Sequence, residues 1–191
     1  MTIDKNNSTI NRVSFRTLGC KLNQAETDAI AALFRQRGCQ VVPFRQESDL
    51  TFINTCTVTG EADAKSRQAI RQAVQASPRG LVAAVGCYAQ VKPEEVAALE
   101  GVDLVLGTRE KYRILDLLDL LEGSKQGRPL VRVGDTGDIK TYDEAPFISA
   151  TTPSGRRTGR ARAFLKVQEG CDSHWEGPGE VPYYGAIGPD G

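Results

Sequence analysis

Three of the five cysteines in this chain of 191 residues end short apolar runs: Cys20 in RTLGC, Cys56 in FINTC and Cys87 in VAAVGC. A thiol can ligate a metal, exchange electrons or fill a core, and the pattern decides among these. An odd number of widely spaced cysteines is no disulfide framework. The absence of a Cys-x-x-Cys pair weakens a zinc or dithiol-redox reading. Thiolates are the usual ligands of iron–sulfur clusters, and a cubane normally takes four. Three thiols would leave one iron with an exchangeable position, suited to a cluster that binds a substrate or a sulfur species. Gly19 and Gly86 precede two of the cysteines and allow the backbone to come close to a bulky group. Taken singly, each cysteine is equally a common core residue. Cys39, at the start of a candidate strand, is read as core.

Such distant thiols act together only if the fold brings them together. Val13 to Leu18, Cys39 to Phe44, Leu50 to Asn54, Gly80 to Val85 and Val102 to Leu106 are short β-branched or apolar runs and read as strands. Helical patterns lie between them. Asn23 followed by Glu26 reads as a capping box, with Ile30, Leu33 and Phe34 on one face and Gly38 as the terminating glycine. A second helix runs from about Glu61 to Ala76, with Ile70, Ala73 and Val74 inward and Lys65, Arg67 and Arg71 outward. The third begins at Pro93 and ends near Gly101. The fourth follows Thr108, with a stripe through Tyr112, Leu115, Leu118 and Leu121. Alternating strands and helices predict an α/β domain, a doubly wound, mostly parallel, five-stranded flavodoxin-like sheet. Cys20, Cys56 and Cys87 then all lie just past carboxyl ends, on the edge where open parallel sheets bind ligands. Helix N-termini after Cys20 and Cys56 would favour thiolates and a negatively charged cluster.

Composition limits the function classes. Hydrophobic residues make up 40% and charged residues 25% of the chain. These are ordinary globular values that argue against disorder. Lys plus Arg and Asp plus Glu both total 24. No whole-molecule positive field therefore attracts nucleic acid, and DNA is not an expected partner. No run approaches a membrane span or a secretory signal, so no membrane partner is expected and the cytoplasm is the expected compartment.

The domain is expected over residues 1–122, followed by a linker at 123–159 rich in Gly, Pro, Ser, Thr and Asp, with one edge strand at Leu130 to Val133. Arg156, Arg157, Arg160, Arg162 and Lys166 form a basic run without aromatic residues, which reads as a solvated linker before a phosphate contact. Residues 160–172 contain a strand-like run, Ala163 to Gln168, that reads as the start of a second domain. Residues 173–191 read as a divergent, disordered tail.

Four segments in order, TLGCKLNQAET at 17–27, FINTCTVT at 52–59, DAKSRQAIRQA at 63–73 and VGCYAQ at 85–90, resemble the N-terminal domain of the radical-SAM methylthiotransferases. The resemblance covers about residues 13–122 and resumes at RARAFLKVQEGCD, 160–172. It implies that Cys20, Cys56 and Cys87 hold an auxiliary [4Fe-4S] cluster through which sulfur is delivered. Cys171 matches the first ligand of a second [4Fe-4S] cluster that binds and cleaves S-adenosylmethionine. The forms GCKLN and GCYAQ look most like the branch that modifies threonylcarbamoyl-adenosine beside the tRNA anticodon, which makes tRNA the implied partner. Isopentenylated adenosine and a ribosomal-protein aspartate are the substrates of the other branches.

The family's second cluster uses Cys-x3-Cys-x2-Cys, but Trp175 and Pro178 stand here where the other two thiols belong. His174 in that tail reads as solvated, since a metal site needs several converging ligands. The expectation is therefore a truncated or frame-shifted chain that binds the first cluster, holds no catalytic residue and does not catalyse alone. A flavodoxin-like interaction domain and a zinc or thiol-redox protein stay open as other classes.

Overall fold

The computed structural model describes residues 10–118 and 128–134. Its elements run β1 (Arg12–Thr17), α1 (Lys21–Gln36), β2 (Gln40–Val42), β3 (Leu50–Thr55), α2 (Gly60–Ala76), β4 (Leu81–Gly86), α3 (Cys87–Val91), α4 (Pro93–Ala97), β5 (Leu104–Leu106), a 3₁₀ turn (Glu110–Arg113), α5 (Ile114–Leu118) and β6 (Leu130–Arg132). The strands form one sheet in the order β2-β1-β3-β4-β5-β6, and every neighbouring pair is parallel. This is the doubly wound arrangement expected. The sheet has six strands rather than five, because the apolar run in the expected linker pairs with β5 through Leu104↔Leu130 and Leu106↔Arg132.

Each central strand feeds both faces, since successive side chains point to opposite sides. Phe52, Ala83, Val85, Leu104 and Leu106 pack with Ile30 and Phe34 of α1 and Ile114 and Leu117 of α5. Ile53, Val82, Ala84 and Val105 pack with Ala69, Ile70 and Ala73 of α2, Tyr88 of α3 and Val96 of α4. Helices therefore cover both faces, which is why these strands read as continuous apolar runs.

Local chemistry moves several boundaries from their expected places. β2 stops at Val42 because Pro43 has no N–H for the ladder. The following turn puts Arg45 at φ 72°. β5 is shortened at its start, where the Asp103 carboxylate accepts the Val82 N–H at 2.8 Å. Cys87 opens α3, a helix that periodicity does not announce. Lys92, at φ −133° and ψ 57°, breaks it from α4. The residue before a proline, here Pro93, is driven out of the helical region. Gly38 does terminate α1, at φ 87°.

Two readings are corrected. The capping box at Asn23 and Glu26 does not form. Helix α1 begins at Lys21 with Cys20 as its cap residue and no side-chain cap bond, while Asn23 and Glu26 are both buried. The stripe on the fourth helix is also rotated. Lys111, Ile114, Leu117 and Leu118 are buried, whereas Tyr112 and Leu115 are only half-buried; Leu121 lies outside the described residues. Opening the helix with a 3₁₀ turn shifts which residues face the sheet, since its residues repeat every third position.

The N-terminus of α2 is capped by Thr59, whose hydroxyl accepts the Ala62 N–H at 3.1 Å. Thr59→Ala is expected to cost about 1 kcal/mol. Urea unfolding checks this: the midpoint falls while the slope stays unchanged.

Candidate functional site

Because all strands run the same way, the carboxyl ends of β1, β3 and β4 share one edge of the sheet. The order reverses at β1, which has β2 on one side and β3 on the other. A crevice opens at such a switch point. Cys20 and Cys56 follow the strands that flank it, and Cys87 follows the next strand over.

The three loops touch. A Cβ placed on Gly19 would lie 2.8 Å from the Cys56 Cβ and 3.0 Å from its Sγ. Burial pushes the Cys87 thiol up to about 12, and the Cys56 sulfur adds to that push; the Lys111 ammonium pulls it down, while Glu26 and Cys20 push it up again. All three thiols therefore belong to one electrostatic neighbourhood. They are graded in access: Cys20 is exposed, Cys87 intermediate and Cys56 buried.

Gly19 and Gly86 also make room for the protein's own atoms. Both have φ of 91°, and the space a Cβ would take is filled by the protein itself. At Gly86 it would collide with Asn54 Oδ1 and lie 2.6 Å from the Thr55 carbonyl oxygen. The glycines let the cysteine loops approach one another.

Each cysteine loop is held by hydrogen bonds from residues that periodicity places in other roles. Asn23 Nδ2 donates to the Leu18 carbonyl at 2.8 Å and the Thr55 carbonyl at 3.2 Å, joining the loops that carry Cys20 and Cys56. The Cys20 thiol donates to Asn23 Oδ1 at 3.7 Å. On the other side, Ser66 of α2 donates its hydroxyl to the Cys56 carbonyl at 2.9 Å and accepts the Cys56 N–H at 3.3 Å. Asp63 accepts from the Thr57 hydroxyl and pairs with Lys92 Nζ at 2.9 Å, tying the Cys56 loop to the junction of α3 and α4. Arg67 reaches the Tyr88 hydroxyl at 3.0 Å and Glu95 at 3.2 Å. The segment DAKSRQ thus presents Asp63, Ser66 and Arg67 to the loops around Cys56 and Cys87. Its helical spacing was legible; the partners were not.

Helix α2 starts at Gly60, one residue before the expected Glu61 and four residues after Cys56, and Cys20 is the cap residue of α1. Cys39 lies at the opposite edge, beside the start of β2, where its thiol donates to the Ile10 carbonyl at 3.4 Å and packs against the core. Burial raises its pKa, with Arg37 opposing and Asp49 adding to the rise. It takes no part in the edge. Cys171, His174, Trp175, Pro178 and the basic run at 156–166 lie outside the described residues.

Among the described residues no three His, Cys, Asp or Glu side chains form a group close enough to hold a single metal ion. A mononuclear site needs all its donors around one point. A cluster takes one thiolate per iron and spreads them apart. The donor set is soft, which suits iron–sulfur clusters and other thiophilic metals, and bound metal would draw the protons from these thiols. No helix among the described residues is long and apolar enough to cross a membrane.

Comparison with known proteins gives a consistent grouping. A family model described as "Uncharacterized protein family UPF0004" matches residues 12–107, from β1 to just past β5. The chain is 41% identical over 161 residues to the threonylcarbamoyladenosine tRNA methylthiotransferase MtaB of Bacillus subtilis (strain 168), covering 84% of this chain and 34% of that protein. It is 40% identical over 162 residues to the protein of the same name from Aquifex aeolicus (strain VF5), covering 84% and 37%. A tRNA-2-methylthio-N(6)-dimethylallyladenosine synthase of Pseudothermotoga lettingae is 30% identical over 164 residues, covering 84% and 35%. The chain thus spans about a third of the length of these relatives.

Proposed function

The chain belongs to the UPF0004 family, and from that premise we propose that it is the cluster-bearing portion of a tRNA methylthiotransferase, with Cys20, Cys56 and Cys87 holding an auxiliary [4Fe-4S] cluster. The substrate of the whole enzyme is threonylcarbamoyl-adenosine in tRNA. The observation that carries the reading is the contact between the three strand-end loops that bear Cys20, Cys56 and Cys87, with the Cys56 sulfur 3.0 Å from where Gly19 would bear a side chain and Gly86 packed against Asn54 and Thr55. Identity of 41% to a relative named for threonylcarbamoyladenosine, against 30% to one named for dimethylallyladenosine, supports the substrate branch.

When bound, such a cluster supplies an iron at which a sulfur species can exchange. The chain's residues divide the remaining work. Cys56 is the fixed ligand, with both backbone polar groups held by Ser66. Cys20, at the exposed side, leaves that side open to a sulfur donor or substrate. Cys171 matches the first ligand of a second cluster serving S-adenosylmethionine, which this chain does not bind because Trp175 and Pro178 replace the other two thiols. Residues 1–122 form the auxiliary-cluster domain, 123–159 the connection, and 160–172 the start of the radical-SAM domain, which puts β6 at the connection's contact with the sheet.

Anaerobic reconstitution with iron and sulfide, followed by iron counting, tests the assignment. The native chain and its Cys39→Ala variant are expected to take up the iron of the auxiliary cluster, and the Ala variants of Cys20, Cys56 and Cys87 to lose it. Iron retained by Cys56→Ala but lost by Cys39→Ala would overturn the reading.

A further inference from the structure

The hydrogen bonds that hold the cysteine loops lead to an ion pair of which sequence periodicity gave no sign. Lys111 Nζ of the 3₁₀ turn meets Glu26 Oε1 of α1 at 2.7 Å, and each side chain is 2% exposed. Burying two charges costs desolvation that a well-packed apolar pair avoids, so such a pair is poor evidence for stability alone. Its connections suggest another role. Glu26 Oε2 accepts from Asn54 Nδ2 at 3.4 Å, and the same amide donates to the Asn23 carbonyl at 3.0 Å and the Thr27 hydroxyl at 3.3 Å. Asn23 in turn joins Leu18, Thr55 and the Cys20 thiol. With its nitrogen so engaged, the Asn54 amide turns Oδ1 against Gly86, where that oxygen is buried without a hydrogen-bond partner. An unmatched buried acceptor carries a desolvation cost, here imposed by the orientation of the amide.

We propose that the Lys111–Glu26 pair, acting through Asn54 and Asn23, is a positioning network that sets the spacing of the loops bearing Cys20, Cys56 and Cys87. Every loop has a contact with it: Leu18 and Cys20 through Asn23, Thr55 through Asn23, and Gly86 through the Asn54 oxygen. The inference rests on the cluster reading for its functional meaning, but the spacing of the thiols can be measured without a cluster.

The test uses the metal-free chain and a bifunctional thiol reagent short enough to bridge adjacent sulfurs. Mass spectrometry reads the Cys20–Cys56 bridge, and thermal melting is followed in parallel. Glu26→Leu combined with Lys111→Met removes both charges and should melt well above Lys111→Met alone. In that double variant the bridge yield should nevertheless fall severalfold, a change that a merely structural pair would not produce. Asn54→Ser, which leaves both charges in place, should lose the bridge likewise. Native yield in either folded variant overturns the proposal, as does a native chain that does not bridge. A native chain that bridges but takes up no iron would sink the cluster reading and leave the positioning network standing.

Discussion

Lys111→Met is expected to destabilise the chain by about 3–5 kcal/mol, the cost of removing one partner of a buried ion pair. Glu26 is 2% exposed, so water cannot take over from the lost ammonium. Asn54 Nδ2 donates to the carboxylate at 3.4 Å, but as a neutral amide it does not replace the ammonium charge. Against a typical total of about 5–15 kcal/mol for a domain, such a loss removes much of the folded population. Urea unfolding of the single and double variants measures it. The single variant should unfold at far lower urea, and Glu26→Leu with Lys111→Met should recover most of the difference. Equal midpoints for Lys111→Met and the native chain would show that the pair contributes nothing.

Gly86→Ala is the second large effect. The residue sits at φ 91° and ψ −162°. Essentially only glycine occupies that region, at a cost of about 1–3 kcal/mol for other residues. An added Cβ would also collide with Asn54 Oδ1 and lie 2.6 Å from the Thr55 carbonyl oxygen. Forcing in such an atom costs about 1–3 kcal/mol more. Neither neighbour yields easily. Asn54 is fully buried, and Thr55 is paired along β3 and β4. The expected sum is roughly 2–6 kcal/mol, together with displacement of Cys87 from its neighbours. Gly38→Ala is the control: it shares the positive φ, at 87°, but has nothing within 4 Å of the added carbon. It should lose only the conformational part. A melting-temperature drop no larger in Gly86→Ala than in Gly38→Ala would refute the steric argument.

The fold was legible because most of it follows from short-range pattern. Apolar runs such as Leu50 to Thr55, buried along their whole length, are what a parallel sheet covered on both faces requires. Their alternation with helical stretches then leaves few topologies. Strand ends were less legible because they depend on single events, the missing N–H of Pro43 at β2 and the Asp103 carboxylate at β5. The sixth strand was visible only as an edge run whose partner was unspecified.

At the site, the cysteines could be found because strand ends in a parallel sheet share an edge, a rule that needs only the order of elements. Their supporting residues could not. Asn23 and Glu26 have the spacing of a capping box, yet both turn inward, where Asn23 ties two loops and Glu26 meets Lys111. Lys111 lies in the charged run Arg109 to Arg113, where nothing local marks it for burial. Asn54 reads as the polar end of an apolar strand. Each takes its role from a partner distant in the chain.

The sequence by itself determined that this is an α/β domain with Cys20, Cys56 and Cys87 at carboxyl strand ends and Cys39 apart from them, because hydrophobic periodicity and the parallel-sheet rule act on the chain locally. Only the tertiary structure decided what holds the loops that bear those thiols. A buried carboxylate, ammonium or amide must be matched in three dimensions, and a glycine's missing Cβ has meaning only beside the atom that fills its space. What fills the space beside Gly19 and Gly86 therefore emerged from contacts: the Cys56 side chain at the first, the Asn54 oxygen at the second.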